Sequence, residues 1–309
     1  MTKVFIDGSA GTTGLRIHER LSERKDITLL TLPGELRKDL DAKREISLSA
    51  DIVFLCLPDD AAKEAVANIG EGGPVIIDTS TAHRTDPSWT YGMPELGGYR
   101  ERIRASKRIA NPGCHASGFI ALIQPLVQAG LVSQDELLTC FSITGYSGGG
   151  KKMIADYESE SRHPLLSAPR QYALTQNHKH LKEMSVISSL NNLPIFSPIV
   201  SDFYCGMEVT VPLFAKQIKG NVNDLKSVFK EAYQGPIIQY ASDPSEDGLM
   251  SASRFDHDDG MEISVLGNDE RILLISRFDN LGKGASGAAI QNMNIVLGCD
   301  ETTGLTLKG

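Results

Sequence analysis

Short apolar runs and amphipathic segments alternate through the first hundred residues. The spacing of Leu15, Ile17 and Leu21 predicts a helix, and so does the segment Ala61–Ile69. Strands buried on both faces of a parallel sheet are apolar throughout, and the helices between them supply the crossovers. The pattern predicts an α/β fold with a doubly wound parallel sheet, and its strands are Val4–Ile6, Ile27–Leu32, Asp51–Leu57, Pro74–Asp78 and Arg108–Ala110.

The later part of the chain follows a different pattern, with more strands and fewer helices. Apolar and polar residues alternate over Met207–Leu213, which is typical of a strand with one solvated face. Helices are predicted over 221–233 and through Gln291–Leu297. This mixture favours a mixed or antiparallel sheet covered on one face, and hence a second domain of α+β type. The other strands predicted here are Leu137–Ile143, Pro236–Tyr240, Met261–Val265 and Arg271–Ser276.

A glycine loop, Gly8-Ser9-Ala10-Gly11-Thr12-Thr13-Gly14, lies directly between the first strand and the first helix. In a Rossmann-type domain such glycines let the backbone approach a pyrophosphate, and the helix N-terminus supplies N–H donors. The spacing is GxxGxxG and differs from the GxGxxG of the dinucleotide fingerprint. The prediction of a dinucleotide site therefore depends on the position of the loop directly after the strand. No acidic residue ends the second strand to bind a ribose. The basic residues Arg37 and Lys38 follow the strand instead. They either bind the 2′-phosphate of NADP or form a solvated cluster of charges.

Cys114 lies in Asn111-Pro112-Gly113-Cys114, between a predicted strand and an apolar helix that runs from Phe119 to Val127. At a helix N-terminus the dipole and the unpaired N–H groups favour a thiolate. A small buried hydrophobe is the alternative interpretation of the cysteine. Because ligands bind at the carboxyl ends of parallel strands, we expect Cys114 to face the same crevice as the glycine loop.

Two histidines, His178 and His180, lie two residues apart, and Glu183 follows closely. Near a thiol they suit general acid–base chemistry, whereas a solvated helix start is the alternative. His115, beside Cys114, is expected at the surface, and a supporting position next to the nucleophile is the alternative. The segment Gly145–Lys152 is predicted to be a loop. Its glycines and lysines either surround an anion or form a flexible surface loop.

The composition is that of a soluble globular chain long enough for two domains. Lys and Arg number 31 against 39 Asp and Glu, and the net charge of −8 gives no footprint for nucleic acid or an anionic membrane. There is no apolar run of membrane-spanning length and no signal-peptide pattern, so we expect a cytoplasmic protein. The five scattered cysteines, which lack any CxxC, predict neither disulfides nor a zinc site.

Five segments, taken in this order, resemble one family along nearly the whole chain. They resemble N-acetyl-gamma-glutamyl-phosphate reductase in its shorter form, a family related to aspartate-semialdehyde dehydrogenase. The resemblance implies NADP as cofactor, a homo-oligomer of two or four chains, and a step of arginine biosynthesis. The segments are Gly8-Ser9-Ala10-Gly11-Thr12-Thr13-Gly14, Tyr91-Gly92-Met93-Pro94-Glu95-Leu96, Asn111-Pro112-Gly113-Cys114, His178-Lys179-His180 with Glu183, and Asp279-Asn280-Leu281 to Gln291-Asn292-Met293-Asn294.

The resemblance also implies roles for individual residues. Cys114 is expected to be the nucleophile and His178 the acid–base group, with His180 as the alternate. The substrate site is expected to include Tyr172, His180, Glu183 and Lys151; Lys152, Arg108 and Arg162 are further candidates for binding the phosphate. The cofactor is expected to contact Gly8, Ser9, Gly11, Thr12, Thr13, Gly14, Ser147, Gly148 and Asn280, and no metal is expected.

The expected reaction is the NADPH-dependent reduction of an acyl phosphate, a small-molecule substrate, to an aldehyde through a thioester on Cys114. Residues 1–113 are expected to form the dinucleotide-binding domain and 114–281 the catalytic and dimerisation domain. Residues 282–309 are expected to return as a helix to the first domain. The alternatives are an aspartate-semialdehyde dehydrogenase, a non-catalytic NADP-binding regulator, and a cysteine hydrolase that uses Cys114 and His178. The glycine loop argues against the hydrolase, which needs no nucleotide.

Overall fold

The computed structural model describes residues 1–308, which cluster into two units. Unit 1 consists of Met1–Pro94, Gly98–Pro112 and Ala285–Leu305. Unit 2 consists of Glu95–Gly97, Gly113–Gly284 and the residues from Thr306 onward. Among residues 1–308, no helix has both the length and the apolar character needed to cross a membrane.

Unit 1 contains a six-stranded sheet in the order β2-β1-β3-β4-β6-β5, and all of its pairs are parallel. The predicted doubly wound sheet is therefore confirmed. Its strands are β1 (Thr2–Asp7), β2 (Ile27–Leu30), β3 (Ile52–Leu55), β4 (Val75–Asp78), β5 (Thr90–Tyr91) and β6 (Arg108–Ala110). Its helices are α1 (Thr12–Ser22), α2 (Leu40–Ser49), α3 (Asp59–Ile69), α4 (Tyr99–Ala105) and α9 (Gly287–Leu297), numbered in chain order along the whole molecule.

The strands of unit 1 are apolar on both faces because helices cover both. Val4 and Phe54 pack with residues of α1 and α9 in one buried cluster. Phe5 and Val53, which point the opposite way, pack with residues of α3 in another. This two-sided burial explains the continuous rather than alternating apolar runs in the sequence.

Unit 2 contains a seven-stranded mixed sheet in the order β11-β12-β13-β10-β7-β9-β8, which confirms the predicted mixed sheet. Helix α5 packs against β10, β13, α7 and α8. The strands are β7 (Thr139–Gly145), β8 (Arg170–Gln171), β9 (Ile195–Ser201), β10 (Met207–Phe214), β11 (Ile238–Tyr240), β12 (Met261–Gly267) and β13 (Arg271–Phe278). The helices are α5 (Cys114–Gln128), α6 (Gly150–Glu158), α7 (His180–Ile187) and α8 (Val222–Ala232).

The face of this sheet opposite α5 carries exposed apolar side chains. Val209 and Val211 of β10 are fully buried, whereas Thr210 and Pro212 point to the other face. Phe141 pairs with Thr210 and is 48% exposed, and the exposed Leu273 pairs with Pro212. Alternate residues of β10 therefore point to a core face and to an open face that is partly apolar.

The prediction of a loop over Gly145–Lys152 is wrong. Strand β7 continues to Gly145, a 3₁₀ turn follows, and Lys151 and Lys152 lie in the first turn of α6. The helix forms because Met153 and Tyr157, four residues apart, pack in one cluster that includes Leu166. Tertiary packing thus outweighs the low helix propensity of the glycines.

Candidate active site

Cys114 is the first residue of α5, and Gly113 precedes it as the N-cap in an extended conformation. The N–H groups of a first helical turn have no acceptor within the helix, and the helix dipole is positive there. A thiolate at this position is therefore stabilised by its own backbone. The predicted strand-to-helix turn is present, because β6 ends at Ala110 and α5 begins four residues later.

Glu183 of α7 fixes the turn that precedes Cys114. Its Oε1 atom accepts a hydrogen bond from the Gly113 N–H at 2.8 Å, and the residue is only 2% exposed. A hydrogen bond to a charged carboxylate is stronger than one between neutral groups. Glu183 therefore ties the start of α5 to α7. Its expected contact with substrate stays a prediction.

His115 is buried, so the expectation of a surface position is wrong. Successive residues of a helix point about 100° apart, so His115 and Cys114 project in different directions. The Nδ1 atom of His115 lies 2.6 Å from Ser142 Oγ, and its Nε2 atom lies 2.7 Å from the Tyr172 hydroxyl. Burial, with smaller effects of His178 and Lys179, lowers the pKa of His115 to about 3. The ring is therefore neutral near pH 7, with one nitrogen donating and the other accepting.

The Tyr172 hydroxyl lies within hydrogen-bond distance of His115 and interacts electrostatically with the nucleophile. Burial raises the pKa of Tyr172, and the charge of Cys114 raises it further. The phenol therefore lies within electrostatic reach of the sulfur and keeps its proton at neutral pH. A protonated phenol beside the thiol is able to donate a hydrogen bond to an oxygen that gains charge there.

His178 and His180 complete this group, with ring centroids 4.8 Å apart. Their rings lie 5.9 and 5.6 Å, respectively, from that of His115. The His180 N–H donates to His178 Nδ1 at 3.2 Å, which leaves the proton of a neutral His178 ring on Nε2. Burial, and then the charge of Lys179, lowers the pKa of His178. A neutral His178 is thus a donor through Nε2.

The structure brings together most of the residues expected at the catalytic and substrate sites. The Cys114 cluster, as we call it, consists of Cys114, His115, Tyr172, His178, His180 and Glu183. Lys151 lies exposed on α6. Its role in binding phosphate stays a prediction. His115 and Ser142 are site residues that the sequence analysis missed, although the place of His115 next to Cys114 was a signal.

Asn280 and Ser147, both expected near the cofactor, are buried and contact each other. Asn280 Nδ2 donates to Ser147 Oγ at 3.0 Å, and its Oδ1 atom accepts from the Gly206 N–H at 2.9 Å. Gly148 lies beside them, since a Cβ there would stand 3.5 Å from Asn280 Nδ2. The Asn280 amide therefore joins the segments after β13, β7 and β9.

Residues 282–284, the first three of a π-helical segment (Gly282–Ser286), lie close to the nucleophile within unit 2. A Cβ on Gly284 would stand only 3.0 Å from the Cβ of Cys114. The neighbouring Lys283 is buried and pairs with Glu95, with the Nζ and Oε1 atoms 2.7 Å apart. Segments of this kind are frequent at functional sites. The ion pair between Lys283 and Glu95 was not predicted from the sequence.

In unit 1 the glycine loop packs so closely that side chains are excluded at two positions. Gly8 has a φ of +88°, and a Cβ there would lie 2.3 Å from the carbonyl oxygen of Cys56. A Cβ on Gly14 would lie 2.4 Å from the carbonyl oxygen of Gly8. Helix α1 begins within this segment, at Thr12, so the free N–H groups of its first turn belong to the loop. The residues therefore fit the phosphates of a dinucleotide.

A cavity of about 360 Å³ adjoins this loop within unit 1. Gly8, Ser9 and Ala10 line one side, and the basic residues Arg37 and Lys38 line another. Lys43 of α2 also lines it and pairs with Asp7 at 3.0 Å. Sequence analysis missed Lys43 because α2 was not predicted. The cavity thus lies between the backbone of the glycine loop and exposed basic side chains.

Two family models match this chain. The model described as the NAD binding domain of semialdehyde dehydrogenase matches residues 3–106. The model described as the dimerisation domain of semialdehyde dehydrogenase matches residues 114–280. A nicotinamide dinucleotide domain and an oligomer-forming domain therefore follow each other along the chain.

Similar proteins include the N-acetyl-gamma-glutamyl-phosphate reductases of Brucella ovis and Brucella canis. Each is 44% identical over 96% of this chain and 99% of the relative. Among solved structures, aspartate semialdehyde dehydrogenase from Francisella tularensis has a TM-score of 0.72 at 15% identity and covers 96% of this chain and 100% of its own. The Candida albicans enzyme with NADP has a TM-score of 0.69 at 16% identity, covering 96% and 99%. These two structures show a shared fold.

Proposed function

This chain belongs to the semialdehyde dehydrogenase family, and on that premise we propose that it reduces N-acetyl-gamma-glutamyl phosphate to N-acetylglutamate semialdehyde in arginine biosynthesis. The observation that carries the proposal is the position of Cys114 at the start of α5. A thiol activated at a helix N-terminus and surrounded by neutral donors suits acyl transfer to sulfur. The relatives that are 44% identical bear the name of this activity.

Cys114 carries the covalent step. Its thiolate attacks the acyl carbon, the bond from that carbon to the phosphate oxygen breaks, and a thioester forms on Sγ. A thiolate suits both halves of the reaction because it is a strong nucleophile and a good leaving group. The bond from Glu183 to the Gly113 N–H holds the turn that aims the sulfur.

His178 and Tyr172 stabilise the charge that develops on the acyl oxygen. When bound, NADPH supplies the hydride that reduces the thioester carbon. The oxygen on that carbon then becomes an anion, to which His178 Nε2–H and the Tyr172 hydroxyl are able to donate. The collapse of this thiohemiacetal expels the Cys114 thiolate and releases the aldehyde. His115 stays neutral and orients Tyr172.

The preferred dinucleotide is NADP(H), and the residues that line the cavity in unit 1 support this part of the proposal. Arg37, Lys38 and Lys43 line it together with the glycine loop, and cationic side chains suit a 2′-phosphate. The apolar residues Leu29 and Leu30, which end β2, stand where NAD-binding domains place an acidic residue for the ribose.

A second copy of the chain is the proposed partner for the open face of the unit 2 sheet. Phe141 and Leu273 expose apolar surface there, and the family model that matches this region is a dimerisation domain. Burial of such side chains is the main favourable contribution to association.

The activity is best tested in the reverse direction, as phosphate-dependent reduction of NADP by the purified protein. N-acetylglutamate semialdehyde and aspartate semialdehyde are offered separately, each with NADP and with NAD. We expect a rate with the first aldehyde that requires phosphate and favours NADP. A rate with aspartate semialdehyde alone would contradict the substrate, and a preference for NAD would contradict the cofactor. NADP binding without any turnover would overturn the enzymatic proposal.

A further inference from the structure

Cys205, His257 and Asp279 bring a thiol, an imidazole and a carboxylate together in unit 2, outside the Cys114 cluster. One ligand atom from each lies within 4.8 Å of the other two. Cys205 and Asp279 are buried, whereas His257 is exposed to solvent. We propose that these three residues form a binding site for Zn²⁺.

The donor set selects the kind of ion. Thiolate and imidazole ligands suit zinc, whereas Mg²⁺ and Ca²⁺ take oxygen ligands. A tetrahedral zinc ion holds its ligand atoms roughly 3.3 to 3.8 Å apart, from its bond lengths of about 2.0 to 2.3 Å. The ligand atoms that lie farthest apart must therefore approach each other by up to about 1 Å on binding. Three protein ligands leave the fourth position to water.

The carboxylate is already oriented by the backbone. Asp279 Oδ2 accepts from the His257 N–H at 2.9 Å, and its Oδ1 atom accepts from the Leu281 N–H at 2.7 Å. Hydrogen bonds of this kind fix metal ligands and raise affinity.

The surrounding charge favours a cation. Asp258 and Asp259 directly follow His257, and both are buried carboxylates that accept backbone N–H bonds from Gly260 and Thr306, respectively. Lys308, a basic residue of this region, pairs with Asp256. Negative charge therefore accumulates on the segment that carries the imidazole ligand.

The three ligands lie far apart in the sequence, so no sequence pattern predicts this site. No zinc site was expected because the cysteines lack the spacing of zinc ligands. The three ligands come from the segments after β9, before β12 and after β13, and only folding brings them together. Coordination replaces the thiol proton of Cys205 with the metal, so each Zn²⁺ bound releases one proton to solvent and no redox change occurs. Cys205 and Asp279 directly precede Gly206 and Asn280, so binding also restrains both residues of the hydrogen bond between Gly206 and Asn280.

Cobalt(II) is the spectroscopic probe, since a tetrahedral Co²⁺–thiolate bond gives a charge-transfer band that Zn²⁺ abolishes by displacement. The titration uses the full chain with Cys114→Ser, which removes the thiolate beside His178 and His180 as a competing ligand. We expect a saturable one-to-one band that Zn²⁺ displaces and Mg²⁺ does not. Because the readout does not depend on turnover, its failure is separate from a failure of the proposed reaction.

Variants in the same background decide which residues bind the ion. Cys205→Ser should remove the charge-transfer band, and His257→Asn should weaken binding at least about tenfold. His257 has a φ of +57°, which Asn tolerates, so this exposed variant is expected to fold. Cys299→Ser, which removes an exposed cysteine of unit 1, is the control and should leave the band unchanged. Absence of the band in the parent protein, its persistence in Cys205→Ser, or unchanged cobalt affinity in His257→Asn would overturn the proposal.

Discussion

The glycine loop of unit 1 and the Cys114 cluster of unit 2 manage charge by different means. The loop offers backbone N–H groups at the start of α1, and the basic side chains nearby, Arg37 and Lys38, are exposed to solvent. The Cys114 cluster instead uses side chains from several elements, and its central residue, His115, is 3% exposed. Charge is screened at the first site and acts in a low dielectric at the second.

The two sites consequently respond to substitution in different ways. A site made of backbone tolerates a change of side chain but not an added atom that displaces the chain. A site made of buried side chains depends on each functional group, because a lost partner leaves another polar group unsatisfied. Variants that damage one region while sparing the other therefore test this division.

The largest effect is expected from Cys114→Ser. A serine hydroxyl at this position is a far weaker nucleophile than a thiolate, so turnover should fall by about 10³-fold or more. Binding of NADPH, measured by fluorescence titration, should stay within about twofold because unit 1 supplies the glycine loop. Cys299→Ser is the matched control and should retain turnover. Substantial activity in the Cys114 variant would exclude the covalent mechanism.

The same division decides what the sequence alone predicts. The glycine loop is contiguous, so its seven residues and the flanking strand and helix are visible together, and the parallel sheet follows from its apolar runs. The Cys114 cluster is assembled from α5, α7 and the segment between β8 and α7. The residue types were predicted, but the burial of His115 and the bond from Glu183 to Gly113 depend on long-range packing.

The features that were not predicted from the sequence also depend on contacts between residues far apart in the chain. Helix α6 begins in a glycine-rich segment whose local propensity is against a helix, and contacts made by Met153 and Tyr157 stabilise it. The grouping of Cys205, His257 and Asp279 has no local signal at all. Sequence patterns report on neighbours along the chain, and these features depend on neighbours in space.

An intermediate effect is expected from Gly14→Ala, which adds a side chain within the glycine loop. The new Cβ would lie 2.4 Å from the Gly8 carbonyl oxygen, so the start of α1 must move away from the loop. Overpacking of this kind costs about 1–3 kcal/mol, and we expect NADPH affinity to fall about 10- to 100-fold. Alkylation of Cys114 by iodoacetamide, followed by mass spectrometry, should keep its wild-type rate.

Gly34→Ala is the control for this change, because a Cβ there meets nothing within 4 Å. It should leave NADPH affinity unchanged. Unaltered affinity in Gly14→Ala would mean that the loop does not position the cofactor, whereas slower alkylation of Cys114 would show that the two regions are not independent.

The smallest effect is expected in the pH dependence of stability, through His115. Its pKa is about 3 in the folded chain, against an ordinary value of 6.5, so the unfolded chain binds more protons between these values. Stability from burying the neutral ring is therefore complete above about pH 6.5 and is lost progressively as the pH falls toward 3. At pH 5 the loss is about 2 kcal/mol.

Urea unfolding followed by circular dichroism at pH 7 and pH 5 measures this loss. His115→Asn is less stable at both pH values, since Ser142 and Tyr172 lose a partner, but it lacks the titrating ring. The wild-type free energy of unfolding should therefore drop by about 2 kcal/mol more than that of the variant between pH 7 and pH 5. His163→Asn removes an exposed histidine of unit 2 and should keep the wild-type pH dependence. Equal drops in wild type and His115→Asn would mean that the ring is not held neutral by burial, and the low-dielectric character of the Cys114 cluster would lose its main support.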